Sequence, residues 1–192
     1  MNMNLNELRD KAYRTACEHG FHDKELSNEH KLCLVISELM EAVKADRKGK
    51  RAMRKMFDEE TRTSQTNPDQ HWIFCFNNFI KDSVEDELAD ACIRLFDLAG
   101  LRNIDISNFK EEEITDAREC CNDESFTESI YAIATLPVRY ECEYDSLFGD
   151  QLRSMLLAIL GLTKHLNIDL EWYIEQKMLY NSFGDKMHGV KC

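Results

Sequence analysis

The chain is poor in the residues that punctuate a fold. It has seven glycines and two prolines in 192 residues. Sandwiches and barrels turn often and draw on both types, so this scarcity argues against an all-β architecture and predicts long helices. No apolar run approaches the length of a membrane-spanning helix, and no span is expected. Residues 1–14 are polar and charged and lack the apolar stretch of a secretory leader, so a cytoplasmic location is expected. None of the eight cysteines stands in Cys-x-x-Cys spacing, which sets aside the common zinc and redox motifs. Cys33 and Cys92 fall in apolar helical patterns, where a thiol acts as a small hydrophobe, and all eight are read as reduced. Basic excess is missing as well. The net charge of −12 argues against nucleic acid as a partner. A phosphorylated substrate must therefore arrive with a divalent metal or meet a local basic patch.

What is present describes a folded, all-α chain read as one domain over 1–192. Hydrophobic residues make up 43% and charged residues 31%. A first helix is predicted over 3–19. A second runs from Ser27 or Asn28 to Arg47, with Leu32, Val35, Leu39 and Val43 as its apolar stripe. Residues 50–70 read as a loop, and the aromatic run 71–79 as a short helical or docking segment. From Ile80 to Leu101, apolar residues recur at the helical period. Residues 107–147 read as an acidic, irregular insertion with short helices near 108–121 and 124–135, the second ending at Leu136–Pro137. Long helices are expected over 146–166 and 169–182.

Residues 86–106 and 150–170 align without gaps at an offset of 64, and both carry Asn-Ile-Asp at the same place. Leu88 matches Leu152, Leu95 matches Ile159 and Leu98 matches Leu162. Glu87 and Asp90 are replaced by Gln151 and Ser154. If the two are copies, the second has lost its charged pair and is structural.

That charged pair has a counterpart on the second helix. Glu38 and Glu41 stand three apart, as do Glu87 and Asp90, and residues three apart share a helix face. Both pairs border the apolar stripes, where unpaired acids are costly. Two antiparallel helices would bring the four carboxylates together into a site for a hard divalent cation, Mg²⁺ or in its place Mn²⁺. A solvated acidic face is the competing explanation. Near the other end of the chain, Lys177, Tyr180 and Asn181 share one face of the last helix, and Lys186, His188 and Lys191 follow. Their donors suit phosphate oxygens, although basic residues there also complement a helix dipole.

Glu38-Leu-Met-Glu41 followed by Glu87-Leu-Ala-Asp90 resembles the metal signature of the MazG-like all-α nucleoside triphosphate pyrophosphohydrolases, a group that includes the dimeric dUTPases and the dCTP pyrophosphatases. Lys177-Met-Leu-Tyr-Asn181 and His188-Gly-Val-Lys191 are similar to that family's lysine–asparagine and terminal elements. The resemblance covers about 27–106 and 165–191. It departs at the insertion of 107–147, and at Gly184, where the family often has an arginine. It implies a MazG-like helical bundle that hydrolyses a (deoxy)nucleoside triphosphate to the monophosphate and pyrophosphate. Mg²⁺ would be held by Glu38, Glu41, Glu87 and Asp90, with Glu41, or else Glu38, as catalytic base. Lys177, Tyr180, Asn181, Lys186 and Lys191 would contact the substrate and its phosphates. A homodimer or homotetramer is implied, closing the apolar face that one helical hairpin leaves open. The rival from another class is a non-catalytic all-α interaction module, with the acidic insertion and the aromatic run as partner surfaces. A di-iron or di-manganese bundle is disfavoured, because no histidine stands three after a glutamate in the required pairs.

Overall fold

A computed structural model describes residues 4–63, 66–143 and 147–183. Among them the chain is all-helical, with nine helices and no strand. In chain order they are α1 (Leu5–Glu18), α2 (Asn28–Arg47), α3 (Arg54–Thr61), α4 (Pro68–Phe79), α5 (Val84–Leu101), α6 (Glu111–Glu119), α7 (Phe126–Glu143), α8 (Phe148–His165) and α9 (Leu170–Ser182). No helix among the described residues is long and apolar enough to cross a membrane.

The helix starts follow from side-chain caps. Ser27, Asn67 and Ser83 each accept a bond from the backbone amide three residues on, and so satisfy one of the free donors at the first turns of α2, α4 and α5. Pro68 occupies the first turn of α4, where its missing N–H costs nothing.

At the centre, α2 and α5 run antiparallel. Asn28 accepts a bond from Arg102 at one end, and the Ala52 amide beyond the other end donates to Glu85. The buried faces are Leu32, Val35, Leu39 and Ala42 against Leu88, Ala91, Leu95 and Leu98. A second pair, α7 and α8, packs beside the first and closes a four-helix bundle. The remaining helices clad this bundle: α1 and α9 lie on α5, and α6 on α8.

The 64-residue correspondence has a structural counterpart. α5 and α8 are both 18 residues long. Both stop at an asparagine in the left-handed region, Asn103 at φ 53° and Asn167 at φ 57°. The next amide turns back onto an equivalent carbonyl, Ile104 to Ala99 at 2.9 Å and Ile168 to Thr163 at 2.8 Å. Asparagine tolerates this conformation better than most residues, which accounts for its recurrence in the shared Asn-Ile-Asp.

Several sequence expectations are corrected. Residues 54–61 form α3 rather than a loop, anchored by Phe57, whose ring meets Trp72, Phe76 and Trp172 edge-on. α5 starts at Val84; Ile80 is buried but caps α4, so the apolar period ran across a turn. α7 does not end at Leu136–Pro137 but runs on to Glu143, with Pro137 inside it. The proline removes one intrahelical donor, and burial of its ring among the packed helices outweighs that loss. Between 107 and 143, α6 and α7 fall near the short helices expected there, and Ile114, Ile130 and Ile133 make the segment part of the core rather than irregular. Cys33 is exposed, so only Cys92 is a buried thiol of the two. The apolar face expected to close by subunit pairing is covered by α7 and α8 of the same chain.

Candidate metal centre

The antiparallel pairing of α2 and α5 brings acids from both helices to one place. Glu38, Glu87 and Asp90 each offer one carboxylate oxygen within 4.8 Å of the other two. Glu41 does not join them. It is half exposed and paired with Lys44 at 2.7 Å, one turn towards the end of α2. A second group, Asp82, Asp86 and Glu87, meets the same distance condition, so Glu87 belongs to both.

Arg94, four residues after Asp90, does not pair with it. Its Nε donates instead across the helix interface to Glu38 at 2.6 Å. Asp90 is bound by Lys177 of α9 at 3.1 Å. The same ammonium lies 3.0 Å from Asp86 Oδ1, outside hydrogen-bonding geometry, and donates to Oδ2 at 3.1 Å. Asp86, only 1% exposed, also accepts a bond from the Asp82 amide. Lys177 therefore faces the carboxylates from within the fold rather than from an open surface.

The electrostatics follow from burial and crowding. Burial raises the Asp86 carboxyl above its ordinary range; Lys177 works against this shift and Asp90 adds to it. Burial, then the charge of Asp86, pushes Glu87 up to about 8. Burial by itself would lower the Lys177 ammonium, but the charges of Asp90 and Asp86 outweigh it and hold it above the ordinary lysine value. The site thus holds more acid than its single buried cation balances. Its donors are all hard oxygens, from three or more carboxylates, which is the set that Mg²⁺ or Mn²⁺ accepts. By that test the residues fit a divalent cation.

Two cavities border the cluster. The first, of about 310 Å³, lies between α1, α5 and α9, with Thr15, His19, Asp90, Arg94, Asp97 and Asn181 among its lining residues. Tyr180 also lines it, stacked on Phe76 at 4.4 Å with its hydroxyl donating to Asn77. Trp72 stacks on the buried Phe76, so the aromatic run is mostly core. Beneath this cavity Lys31 donates to His22 Nδ1 at 3.1 Å, and His22 Nε2 donates to Asp97 at 2.6 Å. An ammonium can only donate, so this chain sets the histidine tautomer. The second cavity, about 230 Å³, is lined by Glu41, Lys44, Lys48, Lys50, Asp82 and Glu87.

The α7–α8 pair carries an equivalent of the first cavity, of about 240 Å³. Ser154, Leu157 and Ala158 line it, and they stand 64 residues after Asp90, Ile93 and Arg94. Here the Ser154 hydroxyl donates to Tyr140 at 2.8 Å, and no carboxylate from α7 faces it among the described side chains.

Of the residues singled out in the sequence, Glu38, Glu87, Asp90 and Lys177 converge, Tyr180 and Asn181 line the adjoining cavity, and Glu41 sits apart with Lys44. Lys186, His188 and Lys191 lie outside the described residues. Asp86, Arg94 and Asp97 were missed. Asp86 carries a legible signal, four residues before Asp90 and hence on its face. No family model, curated protein sequence or solved structure matches this chain.

Proposed function

We propose that the chain is a Mg²⁺-dependent hydrolase that converts (deoxy)nucleoside triphosphates to the monophosphate and pyrophosphate, as in the MazG-like proteins it resembles. One observation carries the reading: three carboxylates from two antiparallel helices meet within 4.8 Å at the edge of a 310 Å³ cavity that shares Asp90 with them. Concave space beside convergent polar groups is the usual form of a small-molecule site.

Glu38, Glu87 and Asp90 would hold the cation, with Glu41 or Asp86 joining by side-chain movement. When bound there, Mg²⁺ supplies charge neutralisation for the phosphates and makes water more acidic. Arg94 fixes the direction of Glu38, and Lys177 that of Asp90. The nucleoside is assigned to the larger cavity, against Tyr180 and Asn181. In the reaction, a water oxygen bonds to one phosphorus of the α–β bridge. The bridging P–O bond breaks and its electron pair stays on the leaving oxygen. The water's proton passes to a carboxylate, for which Glu41 and Glu38 are the candidates. The enzyme is placed in the cytoplasm and, by the same resemblance, as a homodimer or homotetramer. Self-association would use a face other than that of α2 and α5, and exposed Tyr131 and Val138 on α7 offer one.

A panel of canonical and damaged nucleoside triphosphates, assayed with Mg²⁺ for pyrophosphate, tests the activity. Release from none of them would sink it. A Mg²⁺-dependent rise in melting temperature, lost in Glu38→Ala and Glu87→Ala, separates this reading from a non-catalytic interaction module.

A further inference from the structure

We infer that the smaller cavity, beside Glu87, is the seat of the diphosphate group, and that Lys48 and Lys50 bind the part of the substrate released as pyrophosphate. The inference rests on the hydrolase reading and adds a site whose lining does not include Lys177.

Three lysines converge there from the end of α2 and the turn behind it. Lys44 is paired with Glu41 at 2.7 Å and Lys50 with Asp82 at 3.3 Å. Lys48 lines the same cavity and has no ion-pair partner among the described residues. Complementing the dipole of α2 would account for lysines near its last turn. It does not account for the wall opposite, where Asp82 and Glu87 close the cavity. Asp82 is held there by a left-handed backbone, φ 56°, that few non-glycine residues adopt. Gly49, between Lys48 and Lys50, has φ 65° and no atom within 4 Å of the Cβ position, so the turn opens to solvent.

The cavity sets three ammonium and three carboxylate groups around about 230 Å³, space for several water molecules at about 30 Å³ each. A diphosphate is the ligand that uses both kinds of group. Its oxygens take the ammonium donors directly, and they reach the carboxylates through a shared divalent cation. Glu87 borders both this cavity and the three-carboxylate cluster, so a triphosphate chain passing over it would join the larger cavity to the smaller. Whichever phosphorus of the α–β bridge the water attacks, the diphosphate product carries more charge than it did within the triphosphate, and Lys48 and Lys50 offset it.

The test compares wild type with K48A/K50A, two exposed positions whose replacement leaves the core intact; circular dichroism checks the fold. Inhibition constants for inorganic pyrophosphate and for the nucleoside monophosphate are measured during turnover. Magnesium pyrophosphate is also titrated into each protein by calorimetry. The expected result is about a tenfold or greater loss of pyrophosphate affinity with monophosphate affinity unchanged. Unchanged pyrophosphate affinity in a variant that still turns over would overturn the diphosphate site and leave the hydrolase reading standing. If wild type hydrolyses no triphosphate, the hydrolase reading fails, and the titration decides the cavity alone. Binding weakened in K48A/K50A supports it, and binding that is absent or insensitive to the substitutions overturns it.

Discussion

Lys177 on α9 holds Asp86 on α5 through an ion pair that is almost wholly buried, with the lysine side chain 8% and the aspartate 1% exposed. Removing one partner of such a pair costs more than the pair itself contributes, because the other charge is stranded. Lys177→Met is expected to lower stability by about 3 kcal/mol at pH 8. The stranded Asp86 carboxyl, already raised, rises further, so the penalty applies where that carboxyl must ionise and shrinks as acid protonates it. Urea unfolding at pH 5 and pH 8 measures this, and an equal loss at both would mean that lost packing, not charge, is responsible.

Glu87 gives a second pH dependence, with a definite sign. Its folded value of about 8 lies above the ordinary glutamate value. The folded state therefore binds more protons than the unfolded chain between these values, and the metal-free protein loses stability as pH rises from about 4.5 to about 8. Glu87→Gln should flatten this slope and stabilise the metal-free protein at pH 8 by about 1–2 kcal/mol. Because a bound cation needs the ionised carboxylate, Mg²⁺ affinity should rise over the same window and its binding should release protons. Calorimetry in buffers of different ionisation enthalpy would detect that release, and its absence would remove Glu87 from the cation's ligands.

How much of this was readable in the chain depends on whether the deciding interaction is local. α2, α5, α8 and α9 announce themselves through period, and all but α8 through a side-chain cap as well, because each repeats its apolar residues against the core. α3 does not, since Phe57 is its one buried residue and a single residue has no period. α7 was cut short at Pro137 by a local rule that tertiary packing overrides. Within the candidate site, the spacing of Glu38 with Glu41 and of Glu87 with Asp90 placed each pair on one face. It could not tell that Glu41 lies one turn too far along α2 to meet the others. Nor could it tell that α9 crosses α5 and turns Lys177 inward, because that contact spans 91 residues.

The close approach of α6 to α8 makes Gly161 a sensitive position. A Cβ built there would stand 2.5 Å from the Ala117 carbonyl carbon and 2.6 Å from its Cβ, and backbone cannot swing aside as a side-chain tip can. In an isolated helix, alanine would be preferred to glycine by about 1 kcal/mol. Here overpacking reverses the sign, and Gly161→Ala should destabilise by about 2 kcal/mol. The denaturant midpoint reads this directly. A midpoint at or above wild type would mean that α6 is free to move away from α8.

The second helix pair allows a test of what would make the first one the proposed metal site. Asp90 meets Glu38 from α2, whereas Ser154, its counterpart, meets the Tyr140 hydroxyl from α7. If two carboxylates across an interface are what bind the cation, restoring one is not enough. Ser154→Asp should replace a hydroxyl that donates to Tyr140 by a carboxylate that can only accept from it, bring a charge between α7 and α8, and cost about 1–3 kcal/mol. It should add no Mg²⁺-binding event to a calorimetric titration. Pairing it with Tyr140→Glu supplies the missing acid, and the double variant should show a further Mg²⁺-binding event that neither single variant shows. An S154D protein that binds an extra ion unaided would mean that residues outside α7 and α8 complete the site, and the contrast between the two halves would then need a different cause.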